Sequence, residues 1–210
     1  MPIKNLIFDL GGVIIDIDYN RTFEAFKKHG VHHFDEAFNQ GKQEAIFDEY
    51  ETGRISSDEF RKIIKDKLKL FISDEEFDCA WNAMLLDLPK ERLDFIKGLR
   101  KNYKVFLFSN TNDIHLKKVF SICEKQHGFN NFLEYFEKEY YSNIFGKRKP
   151  DVASFISILN ENKLKAEETV FIDDTLQNIH GASEAGLHVI HLTKDKSIFD
   201  IIEHIKALET

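Results

Sequence analysis

Residue 9 is an aspartate closing the apolar run Leu6-Ile7-Phe8, and Leu10, Gly11 and Gly12 follow it. The run does not alternate with polar residues, as in a strand buried on both faces. A carboxylate at the end of such a strand stands where a parallel sheet opens to ligands. Glycines behind it let the backbone turn sharply and approach a ligand closely. Two more apolar runs end in polar clusters. Val105-Phe106-Leu107-Phe108 leads into Ser109-Asn110-Thr111-Asn112-Asp113, and Val170-Phe171-Ile172 into Asp173-Asp174-Thr175. If these strands are parallel, their ends share one edge, and Asp9, Ser109 and Asp173/Asp174 converge there. The basic cluster Lys147-Arg148-Lys149 suits a small anionic substrate better than a polynucleotide. Taken singly, each residue has a plainer role. Ser109 could cap a helix beginning near Asn112, Asp173-Asp174 could be an N-cap pair, and Lys149 could be a surface lysine. Together on one edge they define a site.

The elements that would carry them alternate. Each run precedes a helical pattern, and a further strand, His188-Val189-Ile190-His191-Leu192, precedes a helix through Ile198, Ile201, Ile202 and Ile205. This predicts an α/β fold with a doubly wound, Rossmann-like parallel sheet. Roughly 85 residues separate the first two strands, where a βα connection needs only a few. That stretch reads as helices. Arg21 to Gly30 carries Phe23, Ala25 and Phe26, and Glu44 to Tyr50 carries Ala45, Ile46 and Phe47. Ser56 or Ser57 with Glu59, and Ser73 with Glu76, mark two capping boxes. Pro89 opens a helix through Leu93, Ile96 and Leu99. The expected division is an α/β core of residues 1–15 and 88–210 with a helical cap, residues 16–87, inserted over the sheet edge.

Composition narrows the function. The 210 residues are 42% hydrophobic with 20 phenylalanines, enough to bury a core. A net charge of −7 disfavours nucleic acid and anionic membranes as partners. The segment Met1-Pro2-Ile3-Lys4 runs straight into the first strand and reads as neither a signal peptide nor a membrane span, so a cytoplasmic location is expected by default. Cys79 and Cys123 lack metal-knuckle or redox spacing and read as packing residues. His32-His33 and His188/His191 have no complementary ligand cluster and read as surface or packing residues.

The ordered motifs resemble the haloacid dehalogenase superfamily of aspartate-dependent hydrolases, in the group with a helical cap after the first strand. Phe8-Asp9-Leu10-Gly11-Gly12-Val13 resembles the nucleophile motif, Phe108-Ser109-Asn110 the phosphate-binding motif, and Gly146-Lys147-Arg148-Lys149-Pro150-Asp151 the lysine motif. Phe171-Ile172-Asp173-Asp174, with Asn178 and Gly181-Ala182, resembles the acidic motif. Glu51-Thr52-Gly53-Arg54-Ile55-Ser56 with Glu59-Phe60 is similar to a signature of such caps. The resemblance implies a small phosphorylated metabolite as substrate and Asp9 as nucleophile, forming an aspartyl-phosphate. It implies Lys149 as the fixed cation, and Ser109, Asn110, Gly11 and Gly12 around the phosphate. Mg²⁺ would be held by Asp9, Asp174 and the Gly11 carbonyl, with Asp173 and Asn178 behind.

One position departs from that pattern. Phosphatases of the superfamily carry a second aspartate two residues after the nucleophile, which protonates the leaving alcohol; here it is Gly11. Losing such a group costs ~10²–10⁴ in rate. Bacterial α-glucose-1-phosphate phosphatases, which this N-terminal segment particularly resembles, share the glycine and the Asp16-Ile17-Asp18 pattern, and an anomeric oxygen leaves easily. The expectation is a Mg²⁺-dependent phosphatase of small phosphomonoesters, sugar phosphates among them. The alternatives are a catalytically impaired binding or regulatory protein and a metal-independent dehalogenase. Asp16 or Asp18 could replace the missing donor, although Asp18 also suits a helix cap. Asp16, Asp18, Arg21, Phe47 and Tyr50 are candidates for the cap entrance.

Overall fold

The computed structural model describes residues 2–32, 45–193 and 195–209. His33 and Glu44 lie outside them. Five strands form one parallel sheet: β1 (Asn5–Phe8), β2 (Lys104–Ser109), β3 (Lys138–Tyr141), β4 (Thr169–Asp173) and β5 (His188–His191), in the order β3-β2-β1-β4-β5. The chain adds β2 and β3 on one side of β1, then returns to add β4 and β5 on the other. The sheet is therefore doubly wound, and its switch point is β1, beyond whose C-terminal end a ligand crevice opens. The register sets Phe8 opposite both Leu107 and Ile172. Asp9 is thus level with Phe108, one residue before the end of β2, and with Asp173, the last residue of β4.

The continuous apolar runs fill both faces of the sheet. Leu6, Phe8, Leu107 and Ile172 pack with helices α5 (Lys90–Leu99), α6 (Asp113–His127) and α10 (Ile201–Glu209). Ile7, Phe106, Phe108 and Phe171 pack with α8 (Val152–Asn162) and α9 (Leu176–Glu184). Alternate residues of each strand thus go to opposite cores. The strand β3 is absent from the sequence reading. Its Lys-Glu-Tyr-Tyr segment lies on the sheet edge, exposed at Lys138 and buried only at Tyr140 and Tyr141, so it carries no apolar run.

The inserted stretch is helical as expected, with α1 (Tyr19–Lys28), α2 (Ala45–Glu51), α3 (Ser57–Leu68) and α4 (Asp74–Trp81). Asp18 caps α1 by accepting from the Asn20 amide at 3.1 Å, which starts the helix two residues earlier than its apolar pattern. Ser56 and Ser73 form complete capping boxes with Glu59 and Glu76. Around fully buried Phe60 gather Tyr50, Trp81, Phe47 and Phe77, with ring centroids 4.1, 5.1, 5.9 and 6.2 Å away. The two connections to the core run side by side: Ile17 bridges Leu85, and the Asp16 amide donates to the Asp87 carbonyl at 2.9 Å. Short α7 (Ser142–Phe145) meets the cap where a Cβ on Gly53 would lie 2.2 Å from the Asn143 carbonyl oxygen. Cys123 is buried as expected; Cys79 is exposed, because the face of α4 opposite Phe77 and Trp81 turns to solvent. No helix among the described residues is long and apolar enough to cross a membrane.

Phe60 is the hub of the cap's aromatic cluster. Phe60→Ala is expected to cost about 3–5 kcal/mol in denaturant unfolding; a loss below about 1 kcal/mol would mean that the cluster does not hold the cap together.

Candidate active site

Lys149 is the centre of the arrangement. Its side chain is 1% exposed, and its Nζ lies 2.7 Å from Asp9 Oδ1 and 2.7 Å from Asp173 Oδ2. The rings of Phe108 and Phe171 flank the ammonium at 5.5 and 5.4 Å, which adds cation–π attraction. The loop bearing Lys149 is tied to β2 by a two-point clamp. The Asn110 amide nitrogen donates to the Lys149 carbonyl at 2.8 Å, and the Lys149 N–H donates to Asn110 Oδ1 at 2.9 Å. From the other side α9 packs so closely that a Cβ on Gly181 would lie 2.0 Å from the Pro150 carbonyl oxygen.

Asp173 is fully buried and accepts from the Thr175 amide at 2.7 Å and from Asn178 Nδ2 at 3.1 and 3.2 Å. It is thereby fixed on Lys149. Asp174 is exposed at the cleft, and its carboxylate sits directly over Gly12. A Cβ at Gly12 would lie 2.2 Å from Asp174 Oδ2, and its φ of +73° is a conformation glycine adopts without strain. The Gly12 N–H, expected at the phosphate, donates instead to the Ile15 carbonyl at 2.9 Å. Gly12 therefore makes room for Asp174 and has no amide to offer a ligand. Ser109 is buried at the strand end, and its hydroxyl makes only a 3.5 Å contact with the Asn110 carbonyl. It does not cap α6; Asn112 does, accepting from the His115 amide at 3.0 Å.

Three carboxylates surround one ammonium. Asp9, Asp173 and Asp174 each present an oxygen within 4.8 Å of the others. Burial pushes Asp9 up to about 7; Lys149 opposes this, and Asp173 and Asp174 add to it. Desolvation and the Asp173 charge likewise push Asp174 up. Burial works against the Lys149 charge, but Asp173 and Asp9 outweigh it and hold the ammonium above its ordinary range. The excess of negative charge, presented entirely by oxygen, fits a hard divalent cation.

Above this floor lies a cavity of about 660 Å³ between core and cap. Ile17, Phe23, Phe47, Trp81, Met84 and Leu85 form much of its wall. Among the entrance candidates Phe47 lines it. Asp16 pairs with Arg92 at 2.8 Å, Asp18 caps α1, and the Tyr50 hydroxyl accepts from the Ile114 amide at 3.2 Å inside the cap–core contact. None of these three faces the cavity, and neither does Arg21. The empty position at Gly11 is covered: a Cβ there would lie 2.5 Å from Ile17 Cδ1. Arg148, also on the wall, reaches α2 and pairs with Asp48 and, at 3.0 Å, with Glu51.

His115 is a wall residue that the sequence reading missed. Its ring stacks on Trp81 at 5.2 Å, and its Nε2 lies 3.1 Å from the Trp81 carbonyl oxygen, which can only accept. Nδ1 lies 3.1 Å from Asn112 Nδ2, whose amide oxygen is already accepting. Both ring nitrogens are thus engaged in the neutral form, and burial pulls the imidazole down to about 4. Nothing in a histidine one turn into a helix signals this, because the cap creates its surroundings.

With this geometry in place, similarity to known proteins is informative. Residues 3–186 match the haloacid dehalogenase-like hydrolase family. The chain is 37% identical over 184 residues to a D-ribitol-5-phosphate phosphatase of Bacteroides thetaiotaomicron, covering 88% of this chain and 89% of that protein. It therefore belongs to the haloacid dehalogenase-like hydrolases. A wild-type family enzyme of Bacteroides thetaiotaomicron, solved with magnesium and inorganic phosphate, superposes with a TM-score of 0.83 at 37% identity, over 93% of this chain and 96% of that one. A hydrolase of the same type from Porphyromonas gingivalis superposes with a TM-score of 0.87 at 29% identity, over 98% of both chains.

The buried imidazole makes a stability prediction. Unfolded, His115 takes up a proton near pH 6.5; folded, it resists down to about 4. Its stabilising contribution is complete above pH 6.5 and is lost as pH falls toward 4, up to about 3 kcal/mol. Unfolding free energies measured from pH 7 to 4.5 should therefore fall less steeply for His115→Asn than for the parent. Equal slopes would show that the histidine titrates alike in both states.

Proposed function

We propose that this chain is a Mg²⁺-dependent phosphatase hydrolysing a small phosphomonoester through an aspartyl-phosphate on Asp9. The observation that carries the reading is the buried Lys149 ammonium bridging Asp9 and Asp173 at 2.7 Å each, on the edge where Ser109 and Asp174 also end. Such an arrangement favours the ionised carboxylate against its burial and aims it in a dry place while leaving one of its oxygens for attack. The relatives that bind magnesium and phosphate, and the one that acts on D-ribitol 5-phosphate, support the same chemistry.

In the first step the second oxygen of Asp9 attacks phosphorus, and the bond to the leaving oxygen breaks. Lys149 stays fixed, holds Asp9 in line and offsets the charge on the phosphoryl oxygens, while the Ser109 hydroxyl donates to one of them. In the second step water attacks the phosphorus, the Asp9–phosphorus ester breaks, the Asp9 carboxylate returns, and the water's proton goes to the released phosphate or to solvent. Asp9, Asp174 and the Gly11 carbonyl would hold the Mg²⁺, which when bound neutralises phosphoryl charge. Asp173 and Asn178 position Lys149. Residues 16–87 act as the cap over a core of residues 1–15 and 88–210, and the metabolite is met in the cytoplasm. D-Ribitol 5-phosphate, on which the B. thetaiotaomicron relative acts, is the polyol phosphate against which other small phosphomonoesters are compared. The carboxylate excess argues against a metal-independent dehalogenase, and the intact Asp9, Ser109, Lys149 and Asp174 set argues against a purely binding role.

Phosphate release from p-nitrophenyl phosphate should need Mg²⁺, cease with EDTA and return when Mg²⁺ is restored. Full activity in EDTA, or metal-independent halide release instead, would overturn the reading. Asp9→Asn should abolish turnover, and an active variant would exclude the covalent route. Lys149→Ala should lower kcat by at least ~10²-fold, the scale of losing one fixed charge stabiliser. Near-parental kcat would remove Lys149 from the chemistry.

A further inference from the structure

The chamber above the phosphate site is furnished for an apolar body. Ile17, Phe23, Phe47, Trp81, Met84 and Leu85 supply its wall, and the polar groups among them are already committed. Thr22 donates to the Trp81 carbonyl at 3.1 Å, and both nitrogens of His115 are engaged. Arg148 pairs with Glu51, Asn110 clamps the Lys149 backbone, and Asn178 holds Asp173. The indole N–H of Trp81 has no partner among the described residues but is buried, so it offers the chamber no exposed donor. Tyr19 and Gln177 are exposed at the mouth. A polyol seated here would surrender several hydrogen bonds to water and regain few, whereas a flat apolar group gains by leaving water.

A second observation concerns the leaving oxygen. Residue 11 has no side chain, and Ile17 Cδ1 fills the space where one would start. The other candidates for a proton donor on the wall are occupied: His115 is neutral with both nitrogens bonded, and Glu51 is held by Arg148. A leaving oxygen must then depart with little protonation, which favours weakly basic oxygens. Resting on the phosphatase reading, we propose that the site selects aryl phosphates, in which a phenolic oxygen leaves and a planar apolar ring occupies the chamber. The phosphorus–phenol oxygen bond breaks as Asp9 forms its ester, and the phenolate takes its proton from water afterwards.

The test is a kcat/KM panel with the parent enzyme and Mg²⁺. Acetyl phosphate, whose leaving group needs no acid, probes the phosphatase reading itself; no turnover of it would sink that reading along with this one. If it is hydrolysed, 2-naphthyl phosphate should exceed D-ribitol 5-phosphate by at least ~100-fold, and phenyl phosphate should exceed benzyl phosphate by at least ~30-fold, as expected without a general acid. A polyol phosphate matching the naphthyl ester, or benzyl matching phenyl, would overturn the aryl assignment and leave the phosphatase reading standing. The double variant Gly11→Asp with Ile17→Ala opens space for a carboxyl and should raise the benzyl-to-phenyl ratio by about 10-fold. An unchanged ratio in the folded variant would refute the leaving-group half of the argument.

Discussion

A lysine ammonium held away from water is the constraint on which the rest of the structure depends. Lys149 is retained in its charged form only because Asp9 and Asp173 lie within hydrogen-bond reach and two aromatic faces flank it. Removing one partner from such a group leaves an uncompensated buried charge, a penalty of about 3–5 kcal/mol. Much of the core follows from avoiding that penalty. Asn110 clamps the lysine's backbone, Asn178 and the Thr175 amide hold Asp173, and Gly181 lets α9 approach the loop. These contacts join β2, β4 and the lysine loop around the end of β1, so the topology and the electrostatics select the same place.

The charge is unbalanced by design of the site. One ammonium faces three carboxylates, and the strain appears in Asp9, a carboxyl pushed up to about 7 by its burial. A carboxyl in that condition favours the arrival of a cation, which relieves the crowding of like charge. The cap completes the environment. Its aromatic cluster is continuous with the cavity wall through Phe47 and Trp81, so the residues that stabilise the cap also line the space above Asp9. Stability of the cap and polarity of the chamber are therefore coupled, and neither can be altered at Trp81 without the other.

Legibility in the sequence followed chain locality. The strands ending in Asp9, Ser109 and Asp173 are continuous apolar runs, and the capping boxes at Ser56 and Ser73 obey local spacing rules, so all of these were readable. The edge strand β3 was not, because an edge strand needs no apolar run. Long-range roles were equally hidden. The Asn110 clamp spans 39 positions, and no local spacing rule gives its side chain the lysine backbone as partner. His115 looks like any helix-surface histidine until Trp81 of the cap stacks on it. Gly12 was read as a phosphate contact from its place in the motif, yet its amide is spent on the Ile15 carbonyl.

Gly11 shows how one deletion of a side chain propagates. A carboxyl at that position would need polar, partly hydrated surroundings, and Ile17 could not then cover it. With glycine there, Ile17 lies over residue 11 and bridges Leu85, and both residues form part of the wall. The loss of the proton donor and the apolar character of the chamber are thus two aspects of one packing solution. On the proposed reading, a leaving group that needs a proton and one that needs hydroxyl partners are disfavoured by the same few residues. Specificity on that reading therefore begins where the cap joins the core, at residues 11 and 17, and is completed by Phe23, Phe47 and Trp81 of the cap helices.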